Sequence, residues 1–337
     1  MVEEHGIGTA LVDLAAGRPV VLVDDGGEGT LVFAAAAATP ALLAFTVRHT
    51  SGCVCVALPG GACERLGLPP MHGADREERG RTHTVTVDAR SGITTGISAR
   101  DRARTLRLLA DPAAVAGDLV RPGHVLPLRA AEGGVLGRAE PAEAAVDLVR
   151  LAGQQPAAAL CEIVSVRRPG AMARARELAA FALVHGLALV TVGDVVAHRR
   201  WGERHVVRAT ESLLPTPHGT FRAIGYSCTL DGSEHIALVL GEVGAGRAVR
   251  VELHAECRLG DVFGSRLCGC RDRLEAALAA VAADGRGVVV YVGGASGRQI
   301  RCGAVPDGTA ELVTAQILGD LGVPAAPVDD RHAAVSG

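Results

Sequence analysis

The sequence contains no lysine, and all 34 of its basic residues are arginine. Without a lysine amine, the chain cannot use Schiff-base catalysis or hold a phosphate on a lysine ammonium group. It also lacks an apolar run long enough to cross a bilayer, and its first ten residues, MVEEHGIGTA, have neither the basic nor the apolar region of a signal peptide. We therefore expect a cytoplasmic protein with no membrane partner.

Neither positive nor negative charge is in large excess, because the formal net charge is only -3. This balance gives no electrostatic reason to expect nucleic acid or an acidic membrane surface, so a small molecule is the more natural partner. The 337 residues are 48% hydrophobic and 21% charged, a globular composition. Because a chain of this length is too long for a single hydrophobic core, two domains are predicted.

Short β-branched runs alternate with Ala- and Leu-rich stretches of helical spacing, which predicts a mixed α/β or α+β fold. One clear helix is expected over 141–153, between Pro141 and Gly153. Residues 202–219 lose periodicity and gather prolines, as a linker would. The predicted organisation is a first domain over 1–201, the linker over 202–219, a second domain over 220–323 and a tail over 324–337.

Nine cysteines, an odd number in a long chain, do not indicate a disulfide framework, so metal binding or burial is expected. Cys257, Cys268 and Cys270 stand out, since a Cys-x-Cys pair can direct two thiolates at one point and the intervening loop can return the third. Three soft ligands suit zinc and leave a fourth position for water, as in catalytic sites. The alternative is three buried, reduced thiols.

His254 and Glu256 stand beside the first of these cysteines with the period-2 spacing of a strand. Both side chains could therefore face the same site. Each is equally compatible with a solvated strand end.

The segment HAECRLGDVFGSRLCGC, followed by RLEAALAAVAADGRGVVVY, resembles the zinc-binding core of GTP cyclohydrolase II, and LPTPHGTFRAIGYSCTLDGSEHIALVLGEV resembles that family's first strands. Upstream, TTGISARDRARTLRLLADP, RPGHVLPLRAAEGGVLGRAE and CEIVS resemble 3,4-dihydroxy-2-butanone-4-phosphate synthase. The order of the two resembling segments is that of the bifunctional fusion protein of riboflavin biosynthesis, and the second domain of this chain is shorter than that of the fusion.

This resemblance implies a magnesium-dependent lyase acting on ribulose 5-phosphate in the first half and a zinc-dependent hydrolase acting on GTP in the second. It also implies a homodimer. In the first half, His124 and Glu162 match catalytic positions. The matched substrate-binding positions in that half are Arg138, Glu143, Cys55 and Glu28.

The first half departs from the family pattern at its expected magnesium ligands. Gly26 stands where a glutamate is expected, Thr30 replaces an aspartate, and Pro141 replaces a histidine. Glycine and proline offer no side-chain ligand, so Mg²⁺ is not expected as a cofactor and the usual synthase chemistry should be lost.

In the second half, the resemblance assigns zinc to Cys257, Cys268 and Cys270, and substrate binding to Glu256, Gly297 and Arg298. Asp307 matches a catalytic acid, but Thr309 stands where an arginine is expected. A later lysine-containing phosphate segment has no counterpart, so we expect GTP to bind poorly.

Three hypotheses follow. The chain is a retooled zinc-dependent enzyme for a phosphorylated sugar or purine-like heterocycle, a catalytically silent paralogue with a structural or regulatory role, or an ordinary riboflavin-pathway enzyme with compensating residues. The intact cysteines favour the first hypothesis, and the lost ligands favour the second. We expect the first hypothesis, since proteins that share a fold need not share an activity.

Overall fold

A computed structural model of the protein describes residues 6–71, 82–244, 249–294 and 309–323. The chain divides into two compact units, Met1–Arg199 and Arg200–Gly337. Each unit is built around its own sheet, which is why each has a separate hydrophobic core.

The first unit contains a mixed eight-stranded sheet. Its strands are β1 (Val20–Val23), β2 (Gly29–Ala34), β3 (Cys55–Leu58), β4 (Thr82–His83), β5 (Val87–Ala89), β6 (Leu119–Arg129), β7 (Ala158–Glu162) and β8 (Leu189–Thr191). They lie in the order β4-β6-β3-β7-β2-β1-β8, with β5 on β6. The β1–β8 and β3–β6 pairs are parallel and the others antiparallel, so the predicted mixed α/β class is confirmed.

Helices cover both faces of this sheet. They are α1 (Gly6–Ala15), α2 (Pro40–His49), α3 (Gly60–Arg65), α4 (Ala99–Ala110), α5 (Pro141–Leu151), α6 (Arg176–His185) and α7 (Val192–Gly202). Alternating side chains separate the two faces: Val20 and Leu22 pack with α1 and α5, whereas Val21 packs with α6. The helix predicted over 141–153 is α5, with proline in its first turn and Gly153 just past its end at φ 74°.

The second unit contains a five-stranded sheet between two helices. Its elements are β9 (Val206–Thr216), β10 (Gly219–Cys228), β11 (Glu234–Leu240), β12 (Arg250–Ala255), α8 (Cys270–Ala283), β13 (Gly287–Val292) and α9 (Thr309–Asp320). The order is β12-β13-β11-β10-β9, and only the β12–β13 pair is parallel. Helix α8 packs against one face and α9 against the other.

The linker predicted over 202–219 is largely strand β9, which pairs with β10 along ten positions. The prediction was wrong for these residues because residues 207–215 are all exposed. A strand with no buried face carries no alternation of apolar and polar residues, and periodicity analysis depends on that alternation. The tail predicted over 324–337 lies outside the described residues.

Among the helices that the structure describes, each is too short or too polar to cross a bilayer. The eight cysteines of the described residues all carry free thiols.

Candidate functional site

The three cysteines singled out in the sequence meet at one end of α8. Cys257 follows strand β12, Cys268 lies in the loop before the helix, and Cys270 begins α8. Their Sγ atoms all lie within 4.8 Å of one another. Cys257 and Cys270 are buried and Cys268 is half-buried, so the cluster is accessible from one side.

A glycine allows the sulfur atoms to converge. Residues 258–262 form a single π-helical turn, and within it the Gly260 N–H donates to Cys257 Sγ at 3.4 Å. A Cβ atom on residue 260 would lie 2.9 Å from Cys268 Sγ and 2.9 Å from the Cβ of Cys270. Only glycine leaves this space open to the thiols.

The geometry of the cluster suits zinc. Tetrahedral zinc with Zn–S bonds of about 2.3 Å needs sulfur atoms about 3.8 Å apart. The Cys257 and Cys268 Sγ atoms are 3.8 Å apart. In the part of the chain that the structure describes, these three residues are the one His, Cys, Asp or Glu group whose ligand atoms converge in this way. A three-cysteine cluster is therefore present.

The two neighbours of Cys257 predicted to face the site have different roles. Glu256 accepts a hydrogen bond from the Gly294 N–H at 3.2 Å and pairs with Arg258 at 3.1 Å. His254 is buried, and its Nε2 lies 3.1 Å from both carboxylate oxygens of Asp261. Neither residue belongs to the converging group of ligand atoms.

Two residues near the cluster were missed by sequence reasoning. Asp261 accepts hydrogen bonds from the Cys257 N–H at 2.8 Å and from the Tyr291 hydroxyl at 2.9 Å. Burial, reinforced by this bond to Asp261, raises the pKa of Tyr291. Tyr291 stands on β13, so no local sequence signal connects it to the cysteines. Asp261 does stand in the first turn after Cys257, where an acidic residue commonly caps backbone N–H groups.

Beside the cluster, a groove of about 610 Å³ crosses the sheet. Glu256, Arg258, Tyr291 and the backbone of Gly293 and Gly294 line the end nearest the cysteines. The opposite end is lined mainly by small residues of β9 and β10. The groove is large enough for a nucleotide-sized ligand.

Three predicted residues of the second unit, Gly297, Arg298 and Asp307, lie outside the described residues. So does the side chain of Thr309, although α9 begins at that position. Their predicted roles remain untested predictions.

The first unit has a smaller cleft, of about 150 Å³, at the ends of the central strands. Of the predicted site residues, Cys55 and Glu162 line it. Pro141 and Thr30, which replace two expected polar groups, line it as well. His83 and the thiols of Cys53 and Cys161, which sequence reasoning did not single out, complete its polar lining.

The remaining predicted residues of the first unit do not line this cleft. Glu143 is fully buried and accepts from the guanidinium of Arg138 and from the Ala131 N–H. Glu28 is paired with Arg174 at 2.5 Å. Both carboxylates are therefore held by cationic partners within the fold.

His124 lies on β6 and is oriented by a carboxylate that sequence reasoning missed. Its Nδ1 is 2.6 Å from Asp88 Oδ2, and Asp88 Oδ1 accepts the His124 N–H at 3.0 Å. Gly96, at φ 90°, lies against this pair: a Cβ there would be 2.1 Å from Asp88 Oδ2 and 2.7 Å from His124 Nδ1. The loop containing Gly96 is held by Asp101, whose pKa is lowered chiefly by the hydrogen bond from the Thr94 hydroxyl.

The described side chains of the first unit do not fit a magnesium site. Gly26, Thr30 and Pro141 supply no carboxylate or imidazole, and the Glu28 carboxylate is engaged with Arg174. Within the described residues of this unit, no three His, Cys, Asp or Glu groups converge on one point. Burial raises the pKa of Cys55 and of Cys161, which keeps these two thiols of the cleft protonated.

The chain is similar to known proteins in both units. Residues 8–198 match the 3,4-dihydroxy-2-butanone 4-phosphate synthase family, and residues 207–326 match the GTP cyclohydrolase II family. The riboflavin biosynthesis protein RibBA of Mycobacterium tuberculosis (strain H37Rv) is 52% identical over 329 residues, which cover 94% of this chain and 77% of that protein.

Solved structures agree with this assignment. The crystal structure of RibBX, a two domain 3,4-dihydroxy-2-butanone 4-phosphate synthase from A. baumannii, has a TM-score of 0.68 and 33% identity, covering 96% of this chain and 94% of that one. A 3,4-dihydroxy-2-butanone 4-phosphate synthase in complex with two magnesium ions has a TM-score of 0.54 and 41% identity, covering 57% of this chain and 95% of that one. The resemblance inferred from the motifs is thus confirmed: the chain belongs to the riboflavin-biosynthesis family that joins a 3,4-dihydroxy-2-butanone 4-phosphate synthase domain to a GTP cyclohydrolase II domain.

Proposed function

We propose that this chain serves riboflavin biosynthesis through its second unit, as a zinc-dependent hydrolase that opens the purine ring of GTP. Cys257, Cys268 and Cys270 would hold the metal. The convergence of their three sulfur atoms within 4.8 Å is the observation that carries the proposal. Zinc with three protein ligands supplies an activated water at its fourth position.

The residues around the cluster have chemistry that suits a purine nucleotide. Glu256 offers carboxylate oxygens at the groove, and carboxylates accept hydrogen bonds from the N–H groups of a guanine-like ring. Arg258 is the one arginine among the described residues that line the groove, and it can approach a phosphate. Arg273 donates to Cys270 Sγ at 3.0 Å and thereby adds positive charge beside the sulfur atoms.

The comparisons favour this ordinary-pathway reading over a retooled enzyme with a new substrate, because both domain families match along nearly the whole chain. Retooling and catalytic silence remain hypotheses for the first unit. Pro141 and Thr30 line its cleft where a histidine and an aspartate were expected, so we propose that this unit binds a sugar phosphate without the magnesium-dependent lyase reaction.

One experiment tests both proposals on the purified chain. Elemental analysis should find about one zinc ion per chain. Formate release should be detected with GTP and not with ribulose 5-phosphate plus Mg²⁺. Turnover of ribulose 5-phosphate would refute the proposal for the first unit, and zinc-free, well-folded protein would refute that for the second. Light scattering of the same sample tests the homodimer that we propose from the resemblance.

Matched cysteine variants link the metal to the cluster. Cys268→Ser should lose zinc and melt at a lower temperature, because metal binding contributes to the stability of the fold. Cys228→Ser, a buried thiol outside the cluster, is the control and should retain zinc. Equal zinc content in the two variants would argue against ligation by Cys268.

A further inference from the structure

The carboxylate of Asp261 makes more hydrogen bonds than any capping role requires. It accepts the Cys257 N–H at 2.8 Å and the Tyr291 hydroxyl at 2.9 Å, and it contacts His254 Nε2 at 3.1 Å. Cys257 directly precedes the π turn, Tyr291 lies on β13 and His254 lies on β12. Asp261 therefore joins the cysteine loop to two strands of the sheet.

The link between Asp261 and Cys257 runs in both directions. While the Cys257 N–H donates to the Asp261 carboxylate, the Asp261 N–H donates to the Cys257 carbonyl at 2.7 Å. Both polar groups of the Cys257 backbone are thus bonded to one residue. This arrangement restricts the backbone dihedrals of Cys257 and consequently the direction of its Cα–Cβ bond.

The partners of Asp261 are themselves held rigidly. The side chains of His254 and Asp261 are both only 5% exposed. The rings of His254 and Tyr291 stack with centroids 5.4 Å apart and an interplanar angle of 23°. Buried hydrogen bonds of a carboxylate with rigid partners are strong and specific in direction.

Asp261 does not act as a ligand, because its oxygens are absent from the group of ligand atoms that converge at the cluster. We propose that Asp261 is a positioning residue of the metal centre, which presets the Cys257 sulfur at the distance that zinc requires. This inference rests on the proposed zinc site. Loss of an outer-shell partner of this kind weakens metal binding by about 10- to 100-fold.

The second unit offers a matched control for a purely structural effect. Tyr226 donates its hydroxyl to Asp320 at 2.8 Å, which parallels the bond between Tyr291 and Asp261, but this pair joins β10 to α9. Tyr226 is buried, and Arg208 also donates to Asp320 at 2.8 Å. Asp320→Asn should therefore disturb the fold without moving a cysteine sulfur.

The experiment compares Asp261→Asn with Asp320→Asn in the full chain. Zinc dissociation constants are measured by competition with a chromophoric chelator, and Co²⁺-loaded protein is examined by absorption spectroscopy. We expect Asp261→Asn to weaken zinc binding about 10- to 100-fold and to reduce the thiolate-to-Co²⁺ charge-transfer intensity. Asp320→Asn should leave both quantities at the wild-type level.

The outcomes separate this inference from the proposed function. If wild-type protein binds no zinc, the proposed function fails. If wild type binds zinc and Asp261→Asn binds it within about twofold with an unchanged Co²⁺ spectrum, the positioning role is overturned. If Asp261→Asn does not fold, Tyr291→Phe against Tyr226→Phe decides the question, and equal zinc affinity in that pair would refute the role.

Discussion

Each unit of this protein gathers three cysteines, yet only one of the two groups can hold a metal. In the cleft of the first unit, the Cys55 and Cys161 thiols donate to the Cys53 carbonyl at 3.7 and 3.2 Å, and Cys161 also accepts from the Thr50 hydroxyl at 3.0 Å. In the second unit, the sulfur atoms of Cys257, Cys268 and Cys270 face one another.

The difference comes from the backbone that carries the thiols. Cys55 and Cys161 stand on neighbouring strands, β3 and β7, where Cys55 is paired with Leu160 rather than with Cys161. Neighbouring residues of a strand point to opposite faces of a sheet, so the Cys55 and Cys161 side chains do not face each other across the two strands, and both thiols bond the Cys53 carbonyl instead. The tight turn at Gly260 has no such constraint and brings three sulfur atoms to one point.

Removal of metal should have the largest effect, and it should distinguish the two units. A chelator added to zinc-loaded protein should lower the free energy of unfolding of the second unit by about 4 kcal/mol if zinc was present at about a thousand times its dissociation constant. The first unit should be unaffected. Hydrogen exchange measured by mass spectrometry resolves the two units, and equal deprotection of both would contradict the comparison.

Substitution of Gly260 should have the second-largest effect, and it acts on zinc affinity. In Gly260→Ala, the new methyl group meets Cys268 and Cys270 at 2.9 Å, so we expect zinc affinity to fall about 100-fold. Chelator competition measures the change. Gly269→Ala lies in the same loop, where the nearest atom to a new Cβ is 3.9 Å away, and it should keep wild-type affinity. Equal affinities would show that the turn does not control convergence.

The corresponding glycine of the first unit is Gly96. Gly96→Ala should break the contact between His124 and Asp88 and lower the free energy of unfolding of this unit by about 2 kcal/mol, since the site is both crowded and at positive φ. Zinc affinity should not change. Gly117→Ala, with open space around its Cβ, is the control for chemical denaturation. A loss of zinc in Gly96→Ala would contradict the independence of the two regions.

A smaller, stabilising change is expected at Ala175, the residue before α6. It has φ 38° and ψ -104°, a conformation that strains any residue with a side chain. Ala175→Gly should therefore raise the free energy of unfolding of the first unit by about 1 kcal/mol. Urea denaturation measures this change in the free energy of unfolding. The control is Ala179→Gly inside α6, which should destabilise the unit instead.

The smallest predicted effect depends on pH and is confined to the first unit. Burial lowers the pKa of His49 below 6.5, and the neighbouring His185 and Arg48 side chains lower it further. Below pH 6.5, the unfolded chain then binds more protons than the folded chain, so the free energy of unfolding decreases as the pH falls through the lowered pKa. His49→Gln should flatten this dependence in denaturation curves recorded between about pH 7.5 and 5. Identical slopes for variant and wild type would contradict it.

Much of the fold could be predicted from local patterns. The helix at Pro141 and Gly153 was evident because proline and glycine mark the ends of a helix independently of its surroundings. Strand β9 was missed because both of its faces are exposed. At the metal centre, the Cys-x-Cys spacing predicted the cluster, whereas Tyr291 reaches it only through the pairing of β12 with β13.

The sequence by itself determined which chemical groups this protein has: three thiols at a spacing that permits convergence, no lysine, and neither carboxylate nor imidazole at Gly26 and Pro141. Only the tertiary structure decided which of those groups meet. It brought Asp261 and Tyr291 to Cys257, buried Glu143 against Arg138, and left the described residues of the first unit without three metal-ligand atoms that converge. The physical reason is that residue type sets what a group can bind, while strand register and backbone turns set the few ångströms within which such binding occurs.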